Sequence, residues 1–244
     1  MEEDDIREEN LMRKESLIRR WKERGIVTDR RILDAFRDLP RERFVLDEYE
    51  REAYSDTALP LLKGQTISQP TTMMVMLQAL EMGGSDTVLE IGAGSGYNAA
   101  LLSKLAREVY AVETIKELAD YAKQKLDEAG ISNVHVIHMD GSKGYPEKAP
   151  YDRIIMTAAC REIPKPVIGQ LKEGGIIIAP VGPLYSQKLF KGIKRKDGGK
   201  YKLDIEVLGD FVFVPLTGEQ GHDERERERE RERDDCKDHK SRRS

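Results

Sequence analysis

Thr87-Val88-Leu89-Glu90-Ile91-Gly92-Ala93-Gly94-Ser95-Gly96-Tyr97 is the stretch on which the fold turns. A short apolar strand runs into three glycines at alternate positions, and Tyr97 opens a helical pattern that reaches Ala106. Glycines at a strand–helix turn admit backbone conformations closed to other residues and let a ligand approach the main chain. A dinucleotide fingerprint would place its third glycine at position 97, where this chain has tyrosine. The spacing is therefore G-x-G-x-G, which disfavours a nicotinamide oxidoreductase. A lone glycine loop can also be only a tight turn, so its neighbours decide.

Downstream, Val109-Tyr110-Ala111-Val112 forms a second strand closed by Glu113, and a helix follows through Lys125. Val134-His135-Val136-Ile137, Arg153-Ile154-Ile155-Met156 and Ile176-Ile177-Ile178-Ala179 supply three more strands, the last entered through a turn at Lys172-Glu173-Gly174-Gly175. Strands alternating with helices predict a doubly wound, mostly parallel sheet with helices on both faces. Beyond Gly182 the pattern changes: Leu189–Lys194, Lys202–Leu208 and Phe211–Val214 read as antiparallel strands, with a hairpin turn at Asp197-Gly198-Gly199.

Upstream, residues 1–62 read as a helical cover. Leu11, Leu17, Ile18 and Trp21 form an apolar stripe ended by Gly25. Thr28 is placed to cap the next helix, whose core face is Ile32, Leu33, Phe36 and Leu39 before Pro40. Residues 63–217 make the α/β domain and residues 218–244 a charged, solvated tail. From His222 to Ser244 there are nine acids and nine bases, including strict Glu-Arg alternation from Glu224 to Arg233.

The chain has 244 residues, 39% hydrophobic and 35% charged, with a formal net charge of −4. With no basic face in the centre, nucleic acid is not the expected partner. No apolar run approaches the roughly 20 residues needed to span a bilayer, so a membrane is not expected either. The two cysteines, Cys160 and Cys236, imply neither a disulfide framework nor a metal site, and fit a reducing cytoplasm. A soluble cytoplasmic monomer is expected.

Three acids stand at or just past successive strand ends: Glu90, Glu113 and Asp140. Glu113, about twenty residues past the loop, is placed to accept hydrogen bonds from ribose hydroxyls, and Asp140 lies where an adenine amino group would sit. The loop Glu90-Ile91-Gly92-Ala93-Gly94-Ser95-Gly96 resembles motif I of the S-adenosylmethionine methyltransferases.

Gly64-Gln65-Thr66-Ile67-Ser68-Gln69-Pro70 narrows the family, because it resembles the signature of protein-L-isoaspartate (D-aspartate) O-methyltransferases. The resemblance extends through Ala53–Pro60, Val88–Gly92, Ala149–Asp152, Leu171–Gly175, Pro180–Gly182 and Phe213–Leu216, covering roughly Val27 to Thr217. It implies a Rossmann-like methyltransferase fold. It also implies methyl transfer from S-adenosylmethionine to the free carboxylate of L-isoaspartyl residues in damaged proteins and peptides, with repair proceeding through a succinimide. By the same resemblance Ser68 is the active-site serine, and Gln65, Thr66, Ile67 and Ser68 border the methionine end of the cofactor. Gly92, Gly94 and Gly96 of the loop, with Glu113, Asp140 and Gly141, match cofactor-binding positions; Glu90 and Thr217 match less closely.

Simpler readings stand beside these. Ser68 is also a favoured residue for capping the helix that begins near Thr71. His135 and His138 read as structural, Cys160 as small apolar packing, and Tyr97 and Asn98 as ordinary first-turn residues. A methyltransferase of small molecules or RNA would keep the glycine loop but has no reason to carry Gln65–Ser68. A binding module without chemistry would have no need of intact cofactor residues.

Overall fold

The computed structural model describes residues 2–221. The Glu-Arg alternation, His222, Cys236 and His239 lie outside the described residues. In chain order the elements are α1 (Glu2–Glu23), α2 (Arg30–Asp38), β1 (Leu59–Pro60), β2 (Thr66–Ile67), α3 (Pro70–Ala79) and β3 (Thr87–Ile91). There follow α4 (Tyr97–Ser103), β4 (Glu108–Glu113), α5 (Lys116–Glu128), β5 (Val134–His138), β6 (Tyr151–Met156) and α6 (Lys165–Gly169). Three long strands finish the fold: β7 (Leu171–Val181), β8 (Gln187–Asp197) and β9 (Lys200–Phe211).

β3 to β9 form one seven-stranded sheet in the order β5-β4-β3-β6-β7-β8-β9. The pairings from β5 across to β7 are parallel, and β8 and β9 are antiparallel additions. The connection after β3 runs to β4 on one side, while β6 lies on the other. That reversal opens a crevice at the carboxyl ends of the strands, where ligands bind in open α/β sheets.

The helices are shared unequally between the two faces. Val88, Val109, Ala111, Ile155 and Ile178 pack with Trp21, Phe36, Met74, Leu101, Ala122 and Leu126, so α1 to α5 build one thick layer. Leu89, Ile91, Val112, Ile154 and Ile177 face a thinner layer of Ile163, Val167 and Leu216. The return from β5 to β6 uses two 3-10 turns, Gly141–Lys143 and Pro146–Lys148, instead of a long helix. The N-terminal cover and the sheet thus share one hydrophobic cluster.

Several local expectations change. Leu11 is 57% exposed, and the buried stripe of α1 runs through Asn10, Lys14, Leu17, Ile18 and Trp21. Helical spacing alone cannot separate an apolar residue on the outer face from one on the inner. Asp29, not Thr28, caps α2, its side chain accepting from Arg31 N at 2.9 Å. The Lys172–Gly175 turn is a bulge inside β7: pairing passes from Tyr151–Leu171 to Arg153–Ile176, with Gly174 at φ +76°. Gly198 and Gly199, both at positive φ, do make the two-residue hairpin turn. Phe211–Val214 is not a third strand, since β9 continues to Phe211 and the chain then crosses to Ala159, whose N–H donates to Val214 O at 2.8 Å. Residues 218–221, expected in the tail, fold back onto the sheet end: Glu219 N donates to Asp140 and Gln220 N to Ser142 Oγ, both at 3.0 Å.

Candidate active site

The glycine loop closes the carboxyl end of β3, and each glycine answers a separate constraint. A Cβ on Gly92 would sit 2.4 Å from Thr157 Oγ1, the hydroxyl that donates to Gly92 O at 2.6 Å. A Cβ on Gly96 would press on Ala122, so that glycine lets α4 close on α5. A Cβ on Gly94, at φ +54°, would meet nothing nearer than Leu61 at 3.9 Å, and the residue lends bare backbone to the lining of a cavity. Glu113 at the end of β4 pins the loop: one oxygen accepts from Gly94 N at 2.9 Å, and the other from Thr114 N and Ile115 N at 2.9 and 3.0 Å. A carboxylate has about four acceptor positions, so these three backbone donors leave roughly one for a ligand. The two ribose hydroxyls expected there cannot both be served at full strength.

Glu90 lies behind this loop and is fully buried. One of its oxygens accepts from Asn98 Nδ2 at 2.7 Å, and the other has no partner. Burial, reinforced by the charge of Glu113 and opposed by the Asn98 hydrogen bond, pushes the Glu90 carboxyl up to about 8. Asn98 lines the cavity and Glu90 does not. Asn98 is thus no ordinary first-turn residue. The signal available in the sequence was an acid at an inward strand position, which needs a polar partner on the helix above it. Tyr97 is also buried, with its ring against Phe44 and under the Arg41 guanidinium at 5.2 Å.

Asp140 stands two residues past β5 and is not among the residues that line the cavity. It accepts from Ser142 N, Ser142 Oγ and Glu219 N at 2.9, 2.7 and 3.0 Å. Burial would raise its carboxyl, but these donors outweigh burial and hold it below the usual range. A Cβ on Gly218 would overlap Asp140 Oδ1. Asp140 therefore fastens the segment beyond Thr217, and Thr217 and Gly141 reach the cavity in its place.

The opposite wall is the β1–β2 hairpin and the loop into α3. Leu61 N donates to Gln65 O at 2.8 Å and closes the hairpin. Gln65, Thr66, Ile67 and Ser68 line the same cavity as Gly92, Gly94 and Glu113. The cavity, about 500 Å³, also takes in Thr157, Ala158, Ile115, Leu118 and Phe213 to Thr217, and its size suits a small-molecule site. Ser68 does not cap α3: the Thr71 N–H donates to Asp56 Oδ1 at 3.0 Å, and Pro70 occupies the first turn without an N–H. Asp56 also takes Thr71 Oγ1 at 2.7 Å and pairs with Arg20, while Trp21 Nε1 donates to Thr71 Oγ1 at 2.7 Å. The sequence-chosen residues thus meet at one cavity, except Glu90, Gly96 and Asp140, which support the wall from behind.

The remaining candidates sit elsewhere. Cys160 is buried, its Sγ 3.6 Å from Pro180 O, and burial pushes its thiol up to about 12, so it is packing. His135 pairs with Glu108 at 2.7 Å and stacks on Tyr110 at the far edge strand. No group of three or more His, Cys, Asp or Glu among the described residues is placed to hold a metal.

Residues 12–221 match the family model described as Protein-L-isoaspartate(D-aspartate) O-methyltransferase (PCMT). The protein-L-isoaspartate O-methyltransferase of Pyrococcus horikoshii is 44% identical over 220 residues, covering 86% of this chain and 99% of its own. That of Methanoculleus marisnigri is 47% identical over 221 residues, covering 91% and 97%. A solved protein-L-isoaspartate O-methyltransferase superposes with a TM-score of 0.71 at 33% identity, over 85% of this chain and 67% of that one. A Plasmodium falciparum structure, described as a complex with S-adenosyl-L-homocysteine, shares the fold with a TM-score of 0.70 at 24% identity, over 83% of this chain and 97% of that one.

Proposed function

The chain belongs to the protein-L-isoaspartate(D-aspartate) O-methyltransferase family, and on that premise we propose that it methylates the free carboxylate of L-isoaspartyl residues in damaged proteins and peptides, with S-adenosylmethionine as donor. The observation that carries this reading is that Gln65–Ser68 and the glycine loop line one and the same cavity. Bare backbone at Gly92 and Gly94, an acceptor on Glu113 and apolar faces at Ile115 and Leu118 fit a nucleoside. When bound, the cofactor supplies an electrophilic methyl on a sulfonium.

The acceptor carboxylate is ionised at neutral pH, so these residues need to abstract no proton. Their work is to strip water and aim one oxygen in line with the transferring methyl. Ser68, freed from capping, donates its hydroxyl to the other oxygen. Glu113 and Thr217 contact the sugar and base side, Gly141 gives close approach, and Glu90 and Asp140 act by holding Asn98 and the Thr217 segment. In the methyl ester, the next backbone nitrogen attacks the carbonyl and expels methanol. The succinimide that forms hydrolyses in part to normal aspartate. Residues 63–217 form the catalytic unit and residues 1–62 its cover. No helix among the described residues is long and apolar enough to cross a membrane; cysteine usage supports a reducing cytoplasm, and we place the enzyme there as a monomer.

Product analysis tests the reaction. With methyl-labelled cofactor and an L-isoaspartyl peptide, label should appear first in a base-labile ester and then in methanol, as succinimide and aspartyl peptide accumulate. Label that stays in a base-stable product would contradict carboxylate methylation.

A further inference from the structure

Arg41 is a charged residue at 0% exposure, where arginine is rarely found without a paired acid. Its guanidinium donates to two carbonyls, Ala53 O at 2.7 Å through Nε and Ser68 O at 2.9 Å through a terminal nitrogen. It also meets the Met73 sulfur at 4.0 Å and the face of the Tyr97 ring. Asp56, an acid near enough to act on it, is already engaged by Thr71 and Arg20. Burial lowers the guanidinium to about 10, so it stays charged at neutral pH. An apolar side chain of similar volume would fill the same space with less desolvation cost.

What an apolar residue could not do is tie two loops together. Ser68 belongs to the acceptor wall of the cavity, whereas Tyr97 is the first residue of α4, directly after the glycine loop. The planar fork of arginine fixes direction as well as distance. We propose that Arg41 is the positioning residue that holds the Ser68 loop in register with the glycine loop, so that acceptor carboxylate and methyl donor meet in line. This deepens the reading of Ser68 given above and rests on it. The alternative is a plain structural staple for the Arg41–Phe44 turn and the Ala53 carbonyl, with no path through Ser68.

A double-mutant cycle separates the two. Arg41→Met and Ser68→Ala are each expected to lower kcat/KM for an L-isoaspartyl peptide, by on the order of tenfold to a hundredfold for a lost charged hydrogen bond. If Arg41 works through Ser68, the double variant should be no slower than the worse single one, within about twofold. Saturating S-adenosylhomocysteine counts folded sites, so rates are expressed per site and misfolding is removed from the comparison. Should Arg41→Met not fold, Arg41→Lys carries the same cycle: its single ammonium keeps the charge but cannot span both carbonyls, so it should restore thermal stability more than rate. Losses that multiply in the double variant would overturn the proposal, as would Arg41 variants of normal rate beside a slow Ser68→Ala. A Ser68→Ala enzyme of normal rate would instead retire the role of Ser68, and the Arg41 proposal with it.

Discussion

The two walls of the cavity are held by different means. The glycine wall is local: Glu113 receives Gly94 N from 19 residues away and the next two backbone N–H groups from its own strand end. The acceptor wall is held at a distance, with Arg41 reaching Ser68 across 27 positions and Trp21 reaching Thr71 across 50. A site built from backbone turns and strand ends is written in consecutive residues. One built from buried side chains of a preceding helical cover is written in contacts that no short window contains.

That contrast can be broken first at Gly92. Gly92→Ala combines positive φ with a Cβ that overlaps Thr157 Oγ1, for a combined strain of about 3 kcal/mol. Titration calorimetry with S-adenosylhomocysteine is expected to show affinity down by about a hundredfold or more. Gly94→Ala meets no protein atom nearer its Cβ than Leu61 at 3.9 Å, so its loss of affinity should come from crowding the cofactor, with Tm lowered less than in Gly92→Ala. Equal falls in Tm would show that the loop is not shaped glycine by glycine.

A smaller effect is expected at Glu113. Glu113→Ala leaves three backbone donors without their acceptor and removes one ligand contact, for about 1.5–3 kcal/mol of cofactor affinity. The same titration checks it. Because the damage stays within the local wall, a saturated variant should still methylate isoaspartyl peptide at near-normal kcat.

Glu90 sharpens the comparison through pH. Its carboxyl is raised from 4.5 to about 8 by burial, so the folded chain binds a proton that the unfolded chain releases above pH 4.5. This contribution to stability is full below about pH 4.5, declines as pH rises, and is lost through about pH 8. Glu90→Gln cannot ionise and should flatten that decline. Thermal scans are expected to show little difference from wild type near pH 5 and a higher Tm for the variant near pH 9, by about 2–4 °C per kcal/mol for a chain of this size. Parallel curves would mean that Glu90 is not held neutral.

The same division explains what could be read from sequence. The seven strands of the sheet, the parallel-to-antiparallel change and the Gly198-Gly199 hairpin follow from local pattern, and the structure contains them; Phe211–Val214 reads the same way and is not a further strand. Gly92, Gly94 and Glu113 stand where motif and strand end coincide, and Gln65–Ser68 come from the family resemblance alone; all of them line one cavity. Arg41 was not, because a charged residue after Pro40 reads as surface until its burial is seen. Asn98 escaped for a similar reason, being polar on a helix whose inward face also covers a buried acid. Asp140 reads from sequence as a site position, and its role as a clamp is not legible there, since its partner Glu219 lies 79 residues further on. Leu11 misled because an apolar residue at helical spacing need not face inward.

Placement of the acceptor oxygen is the heart of the proposed chemistry, and one measurement reaches it directly. Two peptides identical except for L-isoaspartate or L-aspartate at one position carry equally ionised carboxylates, displaced from each other along the backbone by one methylene. With labelled S-adenosylmethionine, the isoaspartyl peptide should be methylated and its aspartyl partner left almost untouched. Equal labelling of both, or no labelling of either while the cofactor is fully bound, would contradict a cavity that selects the damaged residue by position.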